Sequence, residues 1–271
     1  MTKQDGYDLV ISVDLGWSRN NIGRTAVAWC RKQSAPRWTN AEETRDLLDF
    51  LRRFEEEALV LLDIPIHGTE DLGRERPFRE MDRDLLSFGI PLLPSFKSGD
   101  YGLQLAEEIE QALPHLTVME SYPYAVLRFL WAARDVPGCL REALQPVVDC
   151  HKFIREWPPK YKRARKKADR IVYMGKVLET LGLFLELDKA EELVPSPDMK
   201  RSELNLLCDI YDALLGLVVG RAIADDSPWF FPAKEEQSDA MIPLLLDSNL
   251  RQRCEEVRCR RRAGGSSEPG R

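Results

Sequence analysis

No stretch of this 271-residue chain offers the roughly 18 uninterrupted apolar residues that a bilayer-spanning helix needs. The opening MTKQDGYD has no apolar core of the kind a secretory leader carries, so a cytoplasmic protein without a membrane partner is expected. The six cysteines, Cys30, Cys139, Cys150, Cys208, Cys254 and Cys259, form no CxxC pair and cluster with no histidine. That scatter excludes a zinc-finger-like cage and favours reduced, structural thiols. An excess of positive charge is missing as well. At a net charge of -6 the chain cannot coat a nucleic acid over a broad face, because that mode requires Lys and Arg to neutralise many phosphates. Any polyanion must be met locally.

What is present is ample core material. A hydrophobic content of 44% over this length supports one large α/β domain, here residues 1–250. LVISVDLG and RTAVAWCRK read as strands joined by a turn around Trp17 to Gly23. Asn40 to Glu57 place Leu47, Leu48, Leu51 and Phe54 on one helical face between charged flanks. ALVLLDIPIHG lacks polar alternation, as a strand covered on both faces does, and Pro65 and Gly68 stop it. RPFREMDRDLLSFG and GLQLAEEIEQALP read as helices, and LTVMESYPY as a strand. The alternation breaks at about 132–204, where helix-like stretches follow one another, including one from about Pro159 to Leu187. A helical insertion is expected there, closed by the PSPD loop. The Arg-rich end, 251–271, has no hydrophobic periodicity and is expected to be disordered.

Four aspartates stand out against this frame. Asp14 and Asp63 each end a β-like hydrophobic run, LVISVD and LVLLDIP. Asp209 and Asp212 open the helix-like run DIYDALLGLVVGRA. Residues three apart share a helical face, so these two carboxylates repel unless a cation lies between them. Asp212 sits in an otherwise apolar helix, where an unpaired charge is expensive. Continuing four residues at a time from Asp212, the stripe reads Gly216 and then Gly220. A mid-helix glycine costs about 1 kcal/mol relative to alanine, so the pair implies close approach to another backbone and an acidic stripe facing the sheet. Singly, an Asp at a strand end is a turn or cap residue, and one near a helix start answers the helix dipole. Together they suit hard divalent cations such as Mg²⁺ or Mn²⁺. Two such ions about 3.5–4 Å apart activate a water and stabilise the leaving oxygen of a phosphodiester.

The marks VDLGW, LLDIPI, REMDRDLLSFGIPLLPS, VMESYPYAVLRFL and DIYDALLGLVVGRA resemble the family of domain of unknown function 429 (DUF429), predicted nucleases, from Val10 to about Pro232. The likeness implies a ribonuclease H-like fold: an α/β domain with a mixed central sheet flanked by helices. The first and last marks also resemble the RuvC-type resolvases, in which an Asp before a glycine on the first strand joins an acid on a later strand and a D-x-x-D-A helix. By that likeness Asp14 bridges the metals, Asp63 ligates from the neighbouring strand, and Asp209 and Asp212 close the catalytic site. A homodimer is the partner the resolvases suggest. Glu120 is either a further ligand or the partner of one of Arg74, Arg76, Arg79 and Arg83. His67 is either a proton carrier or a solvated loop residue.

The stretch KYKRARKKADR supplies Lys160, Lys162, Arg163, Arg165, Lys166 and Lys167 near a helix start, where positive charge opposes the dipole unless a phosphate is bound. These residues are the expected nucleic-acid contacts; the plain alternative is a solvated face. Trp157 and Tyr161 lie beside them, either to stack on bases or to pack the insertion. Arg258, Arg260, Arg261 and Arg262 make a second basic patch in the tail. The leading expectation is a metal-dependent nuclease acting on DNA or RNA. Its competitors are a nucleotide-binding phosphotransfer protein of the actin-like class and a catalytically inactive scaffold of the same fold. Trp17 and Arg19 speak against the phosphotransfer reading, since they stand where a phosphate loop wants small residues.

Overall fold

A computed structural model describes residues 7–15, 25–32, 34–40, 46–69, 72–87, 90, 94–135, 161–224 and 248–264. Its centre is a five-stranded mixed sheet in the order β3-β2-β1-β4-β5. The strands are β1 (Leu9–Asp14), β2 (Ala26–Arg31), β3 (Arg37–Thr39), β4 (Ala58–Leu62) and β5 (Leu116–Glu120). β1 pairs antiparallel with β2 and parallel with β4, and β5 extends the parallel half. All residues of β1 and β4 are buried, as expected for strands covered on both faces.

Two layers of helix cover the sheet, and the period of two along β1 sorts the core between them. Leu9, Ile11 and Val13 face one cluster, shared with Phe50 and Leu51 of α1 (Leu47–Leu51) and with Leu105 and Ile109 of α3 (Tyr101–Ala112). Val10 faces the other, with α4 (Pro123–Asp135), α5 (Lys167–Phe184) and α6 (Arg201–Ala224). α6 is buried almost all round from Ile210 to Gly220, because it lies between the sheet and the outer helices α4 and α5.

Several elements depart from the sequence reading. The strand read through LTVMESYPY stops at Glu120, and Pro123 opens α4, a position where its missing N–H costs nothing. The basic stretch forms a 3-10 turn, Tyr161–Arg163, before α5 begins at Lys167. Of the expected insertion, the first residues close α4 and the rest is described from Tyr161 onward; 136–160 lie outside the described residues, as does the turn after β1. The tail expected to be disordered carries a helix, α7 (Ser248–Gly264). Cys254 enters the core with Val257 packed beside it, and charge adds to this hold: Arg258 Nε lies 3.0 Å from Oδ2 of Asp84, on α2 (Glu80–Ser87), and Arg261 Nε donates to Asp84 Oδ1 at 2.8 Å. Residues 265–271 lie outside the description. Among the described residues, no helix is long and apolar enough to cross a membrane.

Candidate metal centre

The site is built by matching the periods of α6 and β1. Four helical residues advance about 6 Å and two strand residues about 6.6 Å, so a helix stripe at every fourth position can run beside every second residue of a strand. Val10, Ser12 and Asp14 share one face of β1; Gly220, Gly216 and Asp212 form the stripe on α6. A Cβ at Gly220 would overlap Val10 Cγ1, and one at Gly216 would overlap Ser12 Oγ. The next step of the same pairing brings Asp212 to Asp14. The glycines thus let the helix lie close enough for its acid to reach the strand's acid.

Asp63 arrives from the neighbouring strand. Its backbone N–H donates to the Val13 carbonyl at 2.9 Å, continuing the parallel β1–β4 register one residue past Leu62. Asp14, Asp63 and Asp212 each present a carboxylate oxygen, and the three oxygens lie within 4.8 Å of one another. Asp209, one turn before Asp212 on α6, stands outside that trio and joins through a lysine. Lys162 Nζ lies 3.1 Å from Asp14 Oδ2 and 3.2 Å from Asp209 Oδ1, and it also pairs with Asp212 Oδ2. The adjacent Tyr161, fully buried, donates its hydroxyl to the other Asp212 oxygen. The Tyr161–Arg163 turn therefore grips both oxygens of one carboxylate.

Crowded acids shift one another. Burial raises the Asp14 carboxyl well above the usual carboxylate range; Lys162 pulls it back, while Asp212, Asp63 and Asp209 push it further up. Burial, followed by the Asp212 charge, lifts Asp63 to about 7 against the pull of Lys162 and a hydrogen bond shared with Asp14. Asp212 is raised by burial too, with Lys162 and Tyr161 acting the other way. For Lys162 burial opposes the charge, but Asp14, Asp212 and Asp209 outweigh it and hold the ammonium form well above the ordinary lysine value. Four acidic groups thus face one ammonium, an excess of hard oxygen donors over cation. This buried triad can bind a metal ion.

Glu120 points elsewhere. Both its oxygens accept from the Arg79 guanidinium, at 2.6 Å each, and one also takes the Ile66 N–H at 3.0 Å. Arg79 is held in turn by Asp82, its Nε 3.0 Å from Oδ2 and Nη2 2.9 Å from Oδ1. Of the four arginines named from the sequence, Arg79 is the partner, and the pair is 4% exposed on each side. His67 is exposed and its carbonyl accepts from Arg79. Of the basic stretch, Lys160 lies outside the described residues, Arg165 and Lys166 are exposed, and Lys167 reaches the Pro197 carbonyl. Lys162, expected to face a nucleic acid, is turned into the acids. Reading a run of like charges cannot reveal that one member faces inward. Tyr161 is buried in the core, as the packing reading of the insertion's aromatics has it.

No protein-family model, no curated protein and no solved structure matches the chain.

Proposed function

We propose that this protein is a metal-dependent nuclease of ribonuclease H-like fold, hydrolysing phosphodiester bonds of DNA or RNA with Mg²⁺ or Mn²⁺ held by Asp14, Asp63 and Asp212. The observation that carries the reading is the meeting of three carboxylates from β1, the end of β4 and α6 within 4.8 Å. A D-x-x-D-A helix laid against an Asp on the first strand is also the arrangement the RuvC-type likeness implies. When bound, divalent ions supply an activated water and stabilisation of the leaving oxygen. The chain's own residues do the rest. Asp14, buried at the end of β1, feels every other acid of the cluster and Lys162. Tyr161 fixes the rotamer of Asp212 through one oxygen and leaves the second for a cation. Asp209 lies nearer the surface, with 14% of its side chain exposed, where it meets an approaching substrate first. Arg165 and Lys166 lead into α5 as exposed charges for a phosphate backbone.

Asp14→Asn is the decisive variant. It should abolish Mn²⁺-dependent nicking of plasmid DNA and cleavage of a labelled RNA while leaving the far-UV circular dichroism unchanged. Cleavage at the wild-type rate in that variant would eliminate the proposed site.

A second reading rests on Lys162. One ammonium shared by three carboxylates does part of what an ion would do, and a chain in which it stays there is a scaffold without catalysis. One positive group cannot neutralise four carboxylates, so that reading requires protons on the raised Asp14 and Asp63 carboxyls, where the metal reading places a cation. Thermal denaturation separates the two: a ligand that binds the folded state alone raises its stability, so a scaffold would show no Mn²⁺-dependent shift.

A further inference from the structure

Resting on the metal-dependent reading, we infer that Lys162 is a built-in competitor for the metal site: its ammonium occupies a cation position between Asp14 and Asp212, and a divalent ion must displace it to bind. The geometry is that of a cation and its ligands. Nζ has oxygen partners from two elements, Asp14 on β1 and both Asp209 and Asp212 on α6. A hard divalent ion takes such oxygens at about 2.0–2.6 Å, and a second positive group cannot remain among the same donors at that range. Displacement is mechanically simple. Tyr161 is 2% exposed and anchored to Asp212, whereas the neighbouring Lys162 side chain is 36% exposed. The backbone of the turn can stay while a flexible four-carbon stem swings its charge outward. Released, that charge adds to the exposed Arg165 and Lys166 that follow it in the chain, so ion loading supplies a further positive group for a phosphate.

The test is calorimetric titration of MnCl₂ into the full-length wild type, Lys162→Met and Lys162→Arg. Removing the competing charge should tighten Mn²⁺ binding by about tenfold or more in Lys162→Met, while Lys162→Arg, which keeps it, stays within about threefold of wild type. Mn²⁺ bound by the wild type and bound no tighter by Lys162→Met would overturn the exchange and leave the metal site standing. Binding by neither protein would overturn both. Lys162→Met leaves the acids uncompensated, so a second measurement, independent of that variant's folding, uses the wild type alone. Labelling of Lys162 by an amine-reactive ester, read by mass spectrometry, should rise about tenfold on saturation with Mn²⁺ as the side chain leaves its carboxylates; unchanged labelling overturns the proposal.

Discussion

Gly220 lies eight residues along α6 from Asp212 on the same stripe, so a methyl group there tests whether the seating of the helix positions the site. In Gly220→Ala the new Cβ would overlap Val10 Cγ1 and come within 2.9 Å of Leu61 Cδ1, where carbon atoms rest at about 3.5–4.0 Å. Val10 cannot rotate away freely, being β-branched on a fully buried strand. Overpacking of this kind costs about 1–3 kcal/mol, and two blocking side chains put the cost near the upper end. Replacing a mid-helix glycine by alanine returns about 1 kcal/mol. The net expectation is a loss of about 2 kcal/mol, read as a shift in the urea midpoint at constant slope. The Val10→Ala background removes Cγ1 and leaves Val10 Cβ 3.6 Å from the new methyl, an ordinary contact. Leu61 Cδ1, still 2.9 Å away, is a side-chain end that can shift into the space the valine leaves, so Gly220→Ala should cost at least about 1 kcal/mol less there than in the wild type, a coupling that a double-mutant cycle isolates. A neutral or stabilising Gly220→Ala in the wild-type background would refute the close seating and, with it, the pairing of Asp212 with Asp14.

The remaining expectations concern charge. Asp63 titrates near 7 in the folded chain against 3.8 for the free group, so the folded state holds the extra proton in that interval. Stability from this group is therefore fully present below about pH 4 and is lost as pH rises toward 7; a bound cation favours the ionised form and reverses the trend. The Mn²⁺-induced rise in Tm should be larger at pH 8 than at pH 5, reaching roughly 5–11 °C at a hundredfold excess over Kd, and a rise independent of pH would contradict this assignment. Arg79→Met should cost about 3–5 kcal/mol in urea unfolding, because Glu120 and Asp82 are left buried without their partner. Glu120→Gln should leave Mn²⁺ affinity within about twofold; a tenfold loss, equal to about 1.4 kcal/mol, would make Glu120 a ligand after all.

Much of this arrangement can be read from the chain because it depends on short periods. The buried runs ending in Asp14 and Asp63 are adjacent parallel strands, and the stripe Asp212, Gly216, Gly220 packs on Ser12 and Val10 because its spacing matches theirs. What escapes such reading is set by distant partners. α7 brings little apolar surface, Cys254 in the core with Val257 packed beside it, and its arginines Arg258 and Arg261 meet Asp84, more than 170 residues earlier in the chain. β3 is three residues long and pairs only with β2 at the sheet edge, too short for a periodic signal. Lys162 belongs to a run of like charges, and nothing in that run distinguishes the one residue whose turn is pinned by a buried tyrosine.

The central claim is that Asp14, Asp63 and Asp212 form a cation site. Anomalous diffraction from crystals soaked in MnCl₂ tests it directly. A peak bonded to carboxylate oxygens of all three, with the Lys162 ammonium withdrawn, is the expected result. No peak there at saturating Mn²⁺, with Lys162 still seated on Asp14 and Asp212, would contradict it.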